Sequence, residues 1–395
     1  MGKPRCVLIG AGRVAGGFIV PLLSDAGWET ILICRSAKML AALNQEGGLQ
    51  LRITGEPPTE RWISSVRGVS VEDPRLPEIV AGADLLATAV GPSALPDIGR
   101  WLAPALRYRL DVARAPINIL TFENHLSAPE LLLSGLLEGC PSLAREIGRR
   151  LGFGGVVVWR LASHREITDG IARFHADSVG ESYAGSRSLI AGVPPLDGTV
   201  PSIQLAESFR RRMCEKLWVF NAGHVAAAYL GWRAGCRYVH EAMAHPAICD
   251  LVRTVLSEAQ QGFQAYLARH PSSTIIPTRP AAGILARYSD PALGDSVVRV
   301  AREPRRKLAA DDRLLGPALA CFDAGMWPIG LATTAAAALA YAEPSDPQAV
   351  DLQRELALLP PEEVLSAVSG LDPGDELAHL IGDCYRAQAA EAHAA

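Results

Sequence analysis

The sequence predicts an α/β unit built on a parallel sheet, followed by a mostly α-helical unit. Three observations carry this reading: an apolar strand running into a glycine turn near the N-terminus, strand and helix patterns that alternate to about residue 195, and long alanine- and leucine-rich stretches such as 331–342 beyond it. The Gly- and Pro-rich segment 192–201, GVPPLDGTVP, reads as the connection, so the expected domains are 1–195 and 196–395. A chain of 395 residues, 49% of them hydrophobic, has ample apolar content for two cores.

The first element is the strand RCVLIG at residues 5 to 10, and Gly10-Ala11-Gly12-Arg13-Val14-Ala15 follows at once, leading into an amphipathic helical stretch that ends near Gly27. In that context the run is a dinucleotide-binding fingerprint of Rossmann type. Gly10 permits the tight turn, Gly12 lets the backbone approach a pyrophosphate, and the helix start adds its amides and dipole. Ala15 stands at the third position of the pattern.

The second strand, Thr30 to Cys34, ends where NAD-specific proteins place an acidic residue on the ribose 2′-hydroxyl. Cys34 stands there, followed by Arg35, Ser36 and Lys38. A guanidinium fork and a hydroxyl suit a 2′-phosphate, so the expected cofactor is NADP, with NAD as the alternative if Arg35 is only a solvated loop residue. Leu85 to Val90 is the next strand singled out, turning at Gly91-Pro92, and Asn118 to Thr121 another, followed by Phe122-Glu123-Asn124-His125. Val90, Gly91 and Asn124 thus stand at strand ends, where such folds bind their cofactor.

Beyond the connection, Lys216, Asn221 and His224 form K-x4-N-x2-H within KLWVFNAGHVAAAYLGW. On a regular α-helix they fall at roughly 0°, 140° and 80°, so all three could point into one cleft. A lysine can exchange a proton with an alcohol or carbonyl while an amide and an imidazole position the oxygen; a helix start with a satisfied amide and histidine is the plain alternative. A second constellation, Arg299, Arg302, Arg305, Arg306, Lys307 and Arg313, crowds fifteen residues. So many cations repel unless Glu303, Asp311, Asp312 or a ligand phosphate gathers them, or unless they are a solvated helix face.

Other features restrict the function. The net charge of −4 argues against a nucleic-acid surface. The absence of a long apolar run or a signal-like N-terminus points away from the membrane and to a cytoplasmic protein. Eight scattered cysteines without a C-x2-C pair suggest neither zinc nor disulfides. His240-Glu241 and His245 imitate a zinc-protease helix, but the histidines are five residues apart instead of four, so no metal is expected. No stretch reads as an oligomerisation helix, which leaves a monomer or weak oligomer.

Six segments then carry a resemblance: GAGRVAGGFIVPLLSDAGW, TAVGP at 88–92, FEN at 122–124, KLWVFNAGHVAAAYLG, REPRRKLAADDRLLGP and SGLDPGDE. In this order, over nearly the whole chain, they resemble the mannitol-1-phosphate 5-dehydrogenases of the polyol-specific long-chain dehydrogenase/reductase family. The resemblance implies a Rossmann-type domain followed by a helical substrate domain. It implies Lys216 as a metal-independent general acid and base, with Asn221 and His224 polarising and orienting the oxygen. Arg306 and Lys307, with Arg302 in the same cluster, would bind a phosphorylated substrate, and Asn124 would hold substrate or cofactor.

The chain also departs from that pattern. Cys34 replaces the NAD-type aspartate, Trp159-Arg160-Leu161-Ala162-Ser163 stands where D-R-I-V-P is usual, and Phe174 to Ser186 lacks the usual acid and tryptophan. The expected function is therefore an NADP-preferring dehydrogenase of a phosphorylated polyol of different shape, such as a cyclitol phosphate. The alternatives are mannitol 1-phosphate/fructose 6-phosphate interconversion with NAD, and a non-catalytic NADP(H)-binding redox sensor.

Overall fold

A computed structural model of the chain describes residues 2–55, 57–112, 115–185 and 188–394. It divides into two compact units, Met1–Met213 and Cys214–Ala395.

The first unit holds strands β1 (Arg5–Ile9), β2 (Glu29–Cys34), β3 (Leu49–Ile53), β4 (Thr59–Ile63), β5 (Val66–Ser70), β6 (Leu85–Thr88), β7 (Ile117–Thr121), β8 (Leu151–Val158), β9 (Ala162–Thr168), β10 (Ile171–Ala176), β11 (Ser182–Gly185) and β12 (Ile203–Leu205). Eight of them form one sheet in the order β12-β11-β8-β7-β6-β1-β2-β5, parallel from β5 through β8. The parallel strands are near-continuous apolar runs, as a sheet covered on both faces requires, and the β1, β2, β6, β7 core is the doubly wound arrangement that the alternating pattern predicts. Helices α1 (Val20–Asp25), α2 (Ala37–Gln45), α3 (Leu76–Ala81), α4 (Leu95–Asp111) and α5 (Ala128–Gly139) connect these strands.

The sequence did not announce a second sheet, β4-β3-β10-β9. It takes up two segments that depart from the family pattern: part of 159–163 enters β9, and 174–176 ends β10. Trp159 and Phe174 are buried, and Asp177 accepts the amides of Leu161 and Val179. Arg160 donates to the carbonyls of Val179 and Gly17. These residues therefore hold the fold together locally; Ser186, at the end of the second segment, lies outside the described residues.

The units part at 213/214, eighteen residues beyond the expected 195/196 boundary. The Gly/Pro segment is not a free connection, because the amide of Asn118 in β7 donates to the carbonyls of Ile190, Val193 and Pro194 and accepts from the Ile190 amide. Strand β12 then pairs with β11.

Helix α6 (Phe209–Cys214) ends at the start of the second unit, in which the described elements are helical: α7 (Ala222–Arg233), α8 (Val239–Ala244), α9 (Pro246–Arg269), α10 (Ala281–Tyr288), α11 (Val297–Ala301), α12 (Pro304–Lys307), α13 (Leu315–Phe322), α14 (Ile329–Leu339), α15 (Pro347–Leu356), α16 (Pro361–Ser369) and α17 (Glu376–Ala394). No described helix is long and apolar enough to cross a membrane. None of the eight cysteines forms a disulfide.

Candidate active site

Strand β1 stops one residue before the expected strand end because Gly10 turns to φ +108°, a region that favours glycine, and its amide donates to Ile33 of β2. A Cβ at Gly10 would stand 2.5 Å from the Ala89 carbonyl oxygen, so the turn is closed to larger residues. Residues Ala15–Ile19 then form a π-helix that runs into α1. The close helix packing comes one and two residues after the third fingerprint position. A Cβ on Gly16 would stand 2.4 Å from the Phe174 ring of β10, and one on Gly17 would stand 2.9 Å from Ala162 of β9. The cradle thus fits a dinucleotide pyrophosphate: a glycine turn, a strand end and an N-terminal helical turn. Gly12, Arg13 and Val14 are half-buried within it.

At the end of β2, Arg35, Ser36 and Lys38 are exposed. The Ser36 hydroxyl caps α2 by accepting the Met39 amide at 3.3 Å, which leaves its O–H free to donate elsewhere. Strand β6 ends at Thr88, short of the expected Val90, because the Val90 amide leaves the ladder to donate to Glu123 Oε1 at 2.9 Å. The Thr88 hydroxyl donates to Oε2 of the same buried carboxylate at 2.9 Å. Glu123 thereby fixes the Val90–Gly91 turn against the end of β7, one residue before the half-buried Asn124. Burial raises its carboxyl above the ordinary value, against the pull of the Val90 amide and Thr88 hydroxyl.

In the second unit, Glu215–Asn221 is a π-helix, not the regular α-helix expected, and α7 continues from it. Its i→i+5 pattern sets Asn221 about one turn above Lys216, closer in direction than the roughly 140° of a regular α-helix. All seven residues are buried, and Lys216, Asn221 and His224 are each under 9% exposed. The Asn221 Nδ2 donor makes no hydrogen bond. An unsatisfied buried amide costs about 1–3 kcal/mol, so this donor is available to a ligand oxygen.

His224 is fixed from two sides. Its ring stacks on Tyr288 with centroids 5.1 Å apart and planes 4° from parallel, and its Nε2 lies 3.1 Å from Asp295 Oδ2, within ion-pair distance although that oxygen receives no in-line hydrogen bond. Tyr288 donates to the Phe220 carbonyl of the π-helix, and Arg299 Nε donates to Asp295 Oδ1 at 2.6 Å. Burial pushes the imidazole below its ordinary value, with Asp295 pulling the other way. Burial would raise the Asp295 carboxyl, but Arg299 and His224 hold it at about 2.

The basic cluster divides into matched and unmatched charges. Arg305 donates to both carboxylate oxygens of Glu355 at 2.8 Å, and Arg306 to Glu303 at 2.8 Å. Arg302 is exposed, 3.9 Å from Glu303. Glu303 itself sits at φ +60°, unusual for a non-glycine residue, and its amide donates to Asp346. The unmatched donors are buried: Lys307 is 2% exposed and its Nζ has no partner, and neither has Nη2 of Arg313, whose Nε is engaged by Asp312. Burial, then Arg313 and Arg306, push the Lys307 ammonium well below the ordinary lysine range. The Trp218 indole, between Lys216 and Asn221 in sequence, donates to the Asp311 carbonyl at 3.0 Å, so the π-helix and the cationic segment are in contact.

Comparison with known proteins shows the family and the fold. The Mannitol dehydrogenase Rossmann domain family matches residues 4–176, and the Mannitol dehydrogenase C-terminal domain family matches residues 209–368. The chain belongs to the mannitol dehydrogenase family. It is 32% identical over 384 residues to a mannitol-1-phosphate 5-dehydrogenase of Brevibacillus brevis, covering 96% of this chain and 97% of that one. It is 30% identical to that of Geobacillus thermodenitrificans over 97% and 98% of the two chains. Among solved structures, the Pseudomonas fluorescens mannitol 2-dehydrogenase ternary complex with NAD and D-mannitol superposes with a TM-score of 0.80 at 15% identity, covering 98% of this chain and 92% of that one. A D-sorbitol dehydrogenase in substrate-free form gives 0.70 at 16% identity, over 97% and 93%. These structures share the fold.

As a member of the mannitol dehydrogenase family, the chain is an oxidoreductase. Among its described residues, no group of His, Cys, Asp or Glu is placed to hold a metal. The carboxylate of Glu241 instead accepts the amides of Arg237 and Tyr238 at the start of α8. Asp295 and Tyr288, the supports of His224, were missed by sequence reasoning. Asp295 carried one weak signal, an acid four residues before Arg299; Tyr288 carried none, since only tertiary packing brings it to the ring.

Proposed function

We propose that this chain is an NADP-preferring dehydrogenase that oxidises a secondary alcohol of a phosphorylated polyol, a cyclitol phosphate or another sugar-alcohol phosphate, to the ketone. The observation that carries the reading is that the buried Lys216–Asn221–His224 triplet and the unpartnered donors of Lys307 and Arg313 belong to segments joined by the Trp218–Asp311 hydrogen bond. NADP, when bound, supplies the hydride acceptor. Gly10, Gly12, Arg13, Val14 and Ala15 form its pyrophosphate cradle, Arg35 and Ser36 meet its 2′-phosphate, and Val90, Gly91 and Asn124 border the nicotinamide end.

Lys216 takes the alcohol proton as the carbonyl forms, and returns one in the reverse direction. Asn221 Nδ2 donates to the developing oxygen, and His224, held by Asp295 and Tyr288, orients it. Each such donor is worth about 10²–10³ in rate where it meets transition-state charge. Lys307, Arg306 and Arg313 bind the substrate phosphate, whose charge would relieve the mutual repulsion of these cations, and Arg302 lies at the exposed edge of the cluster. The enzyme acts without a metal, in the cytoplasm, as a monomer or weak oligomer.

A second reading keeps mannitol 1-phosphate and fructose 6-phosphate with NAD. The full-length identity to the Brevibacillus protein favours it, and the finding that several departing residues serve the second sheet lessens their weight as evidence for a substrate of different shape. A non-catalytic redox sensor has no use for the buried triplet. The test is nicotinamide absorbance with purified protein, crossing NAD and NADP against linear and cyclic polyol phosphates. Turnover of NADP with a cyclic phosphate is expected; turnover only of NAD with mannitol 1-phosphate would replace the first reading by the second.

A further inference from the structure

Strand β9 brings a cation to the nucleotide cradle that neither the fingerprint nor the family pattern assigns. Arg165 Nη1 donates to the carbonyl of Ala11, between the two fingerprint glycines, at 2.7 Å. The same strand packs against α2, the helix that starts immediately after Arg35 and Ser36. The guanidinium also lies close enough to Cys34 to favour its thiolate, against the larger opposing effect of burial. Arg165 is therefore bracketed by the glycine loop and the end of β2, the two elements that flank the adenosine ribose in a Rossmann site.

Among the described residues no carboxylate lies within ion-pair distance of Arg165, Arg35 or Lys38. The neighbouring acid on β9, Glu166, is engaged elsewhere, 3.8 Å from His164 and from His175. One N–H of Arg165 is committed to Ala11, which fixes the side chain and leaves the rest of its donor fork available.

We infer that Arg165 is a cofactor-specificity residue: it binds the 2′-phosphate of NADP together with Arg35, using the Ala11 carbonyl as its anchor. The inference rests on the NADP reading above and extends it by a residue from outside the nucleotide-binding motif. A cation fixed by a neutral carbonyl, with no acid to satisfy it, suits a phosphomonoester and gains nothing from a 2′-hydroxyl.

Calorimetric titration of the full chain with 2′,5′-ADP and with 5′-AMP tests this without requiring turnover. The wild-type protein should bind 2′,5′-ADP at least about tenfold more tightly than AMP, the scale of one charge-assisted contact. Arg165→Ala should remove most of that difference while leaving AMP within about twofold, and Arg165→Lys should fall between. Parallel weakening of both nucleotides in Arg165→Ala would mean that the residue only braces the loop, and unchanged binding of both would mean that it plays no part; either result overturns the inference. Equal binding of the two nucleotides by the wild-type protein overturns the NADP reading itself, before any variant is made.

Discussion

Each unit holds a π-helix, and the two differ in what they place there. Ala15–Ile19 in the first unit reads AGGFI and carries no ionisable side chain; Glu215–Asn221 in the second reads EKLWVFN and buries a carboxylate, a lysine and an amide. On the proposed reading the first site works through main-chain groups, so its requirement is smallness: Gly10 and Gly16 stand where a Cβ would meet backbone or an aromatic ring. The second, on the same reading, works through side chains, so its requirement is that buried polar atoms be left for a ligand to satisfy. A backbone site is robust to changes of charge and intolerant of bulk, whereas a side-chain site is the reverse.

The largest effect expected from this contrast is on the rate. Lys216→Ala should lower kcat by about 10²–10⁴-fold, the range for loss of a general acid and base, while the dissociation constant for the nicotinamide cofactor stays near the wild-type value. Single-turnover kinetics and a cofactor titration together check it. A variant that lost cofactor affinity but kept its chemical step would make the lysine a structural member of the π-helix.

A smaller effect, in stability, follows from the unmatched cations. Lys307→Met keeps the volume and removes a buried donor without a partner, so the ligand-free protein should gain about 1–3 kcal/mol. Inorganic phosphate should stabilise the wild-type protein, by about 2.7 kcal/mol at a hundredfold excess over its dissociation constant, and the variant much less. Thermal unfolding with and without phosphate reads both. A destabilised variant that still responds fully to phosphate would sink the assignment of Lys307 to the phosphate site.

The same contrast explains what the sequence disclosed. The glycine turn, the strand ends and the order of the parallel strands follow from local rules, since a residue such as Gly10 is dictated by its own φ and by the next strand. K-x4-N-x2-H was legible as spacing, yet the π-helix that aligns Lys216 with Asn221 was not, because hydrophobic periodicity cannot distinguish the two helical forms over one fully buried turn. The second sheet was hidden for another reason: β3 lies beside β10, some 120 positions further on, and nothing local announces that pairing. Segments 159–163 and 174–186, noted as departures from the family pattern, in part supply that sheet and its supports. Arg165 escaped notice for the same reason, as its partner Ala11 is 154 positions away.

The smallest expected effect concerns pH and again sets one unit against the other. His224 in the second unit and His175 in the first both lie below the ordinary imidazole value of 6.5, in each case chiefly through burial. For such a group the unfolded chain takes up a proton that the folded chain refuses, so stability is intact above the ordinary value and falls as the pH drops towards the lower folded one. One proton refused in this window steepens the dependence by at most about 1.4 kcal/mol per pH unit. His224 is enclosed, with Asp295 at its ring and Arg299 and Arg287 opposing its charge. The His175 side chain is 21% exposed and faces Glu166. Urea unfolding at a series of pH values should therefore flatten more in His224→Asn than in His175→Asn, whatever either substitution does to stability at neutral pH. An equal flattening would show that burial of the imidazole is no special property of the proposed proton-transfer site, and the distinction between the two units would then rest on Lys216 and the unmatched cations alone.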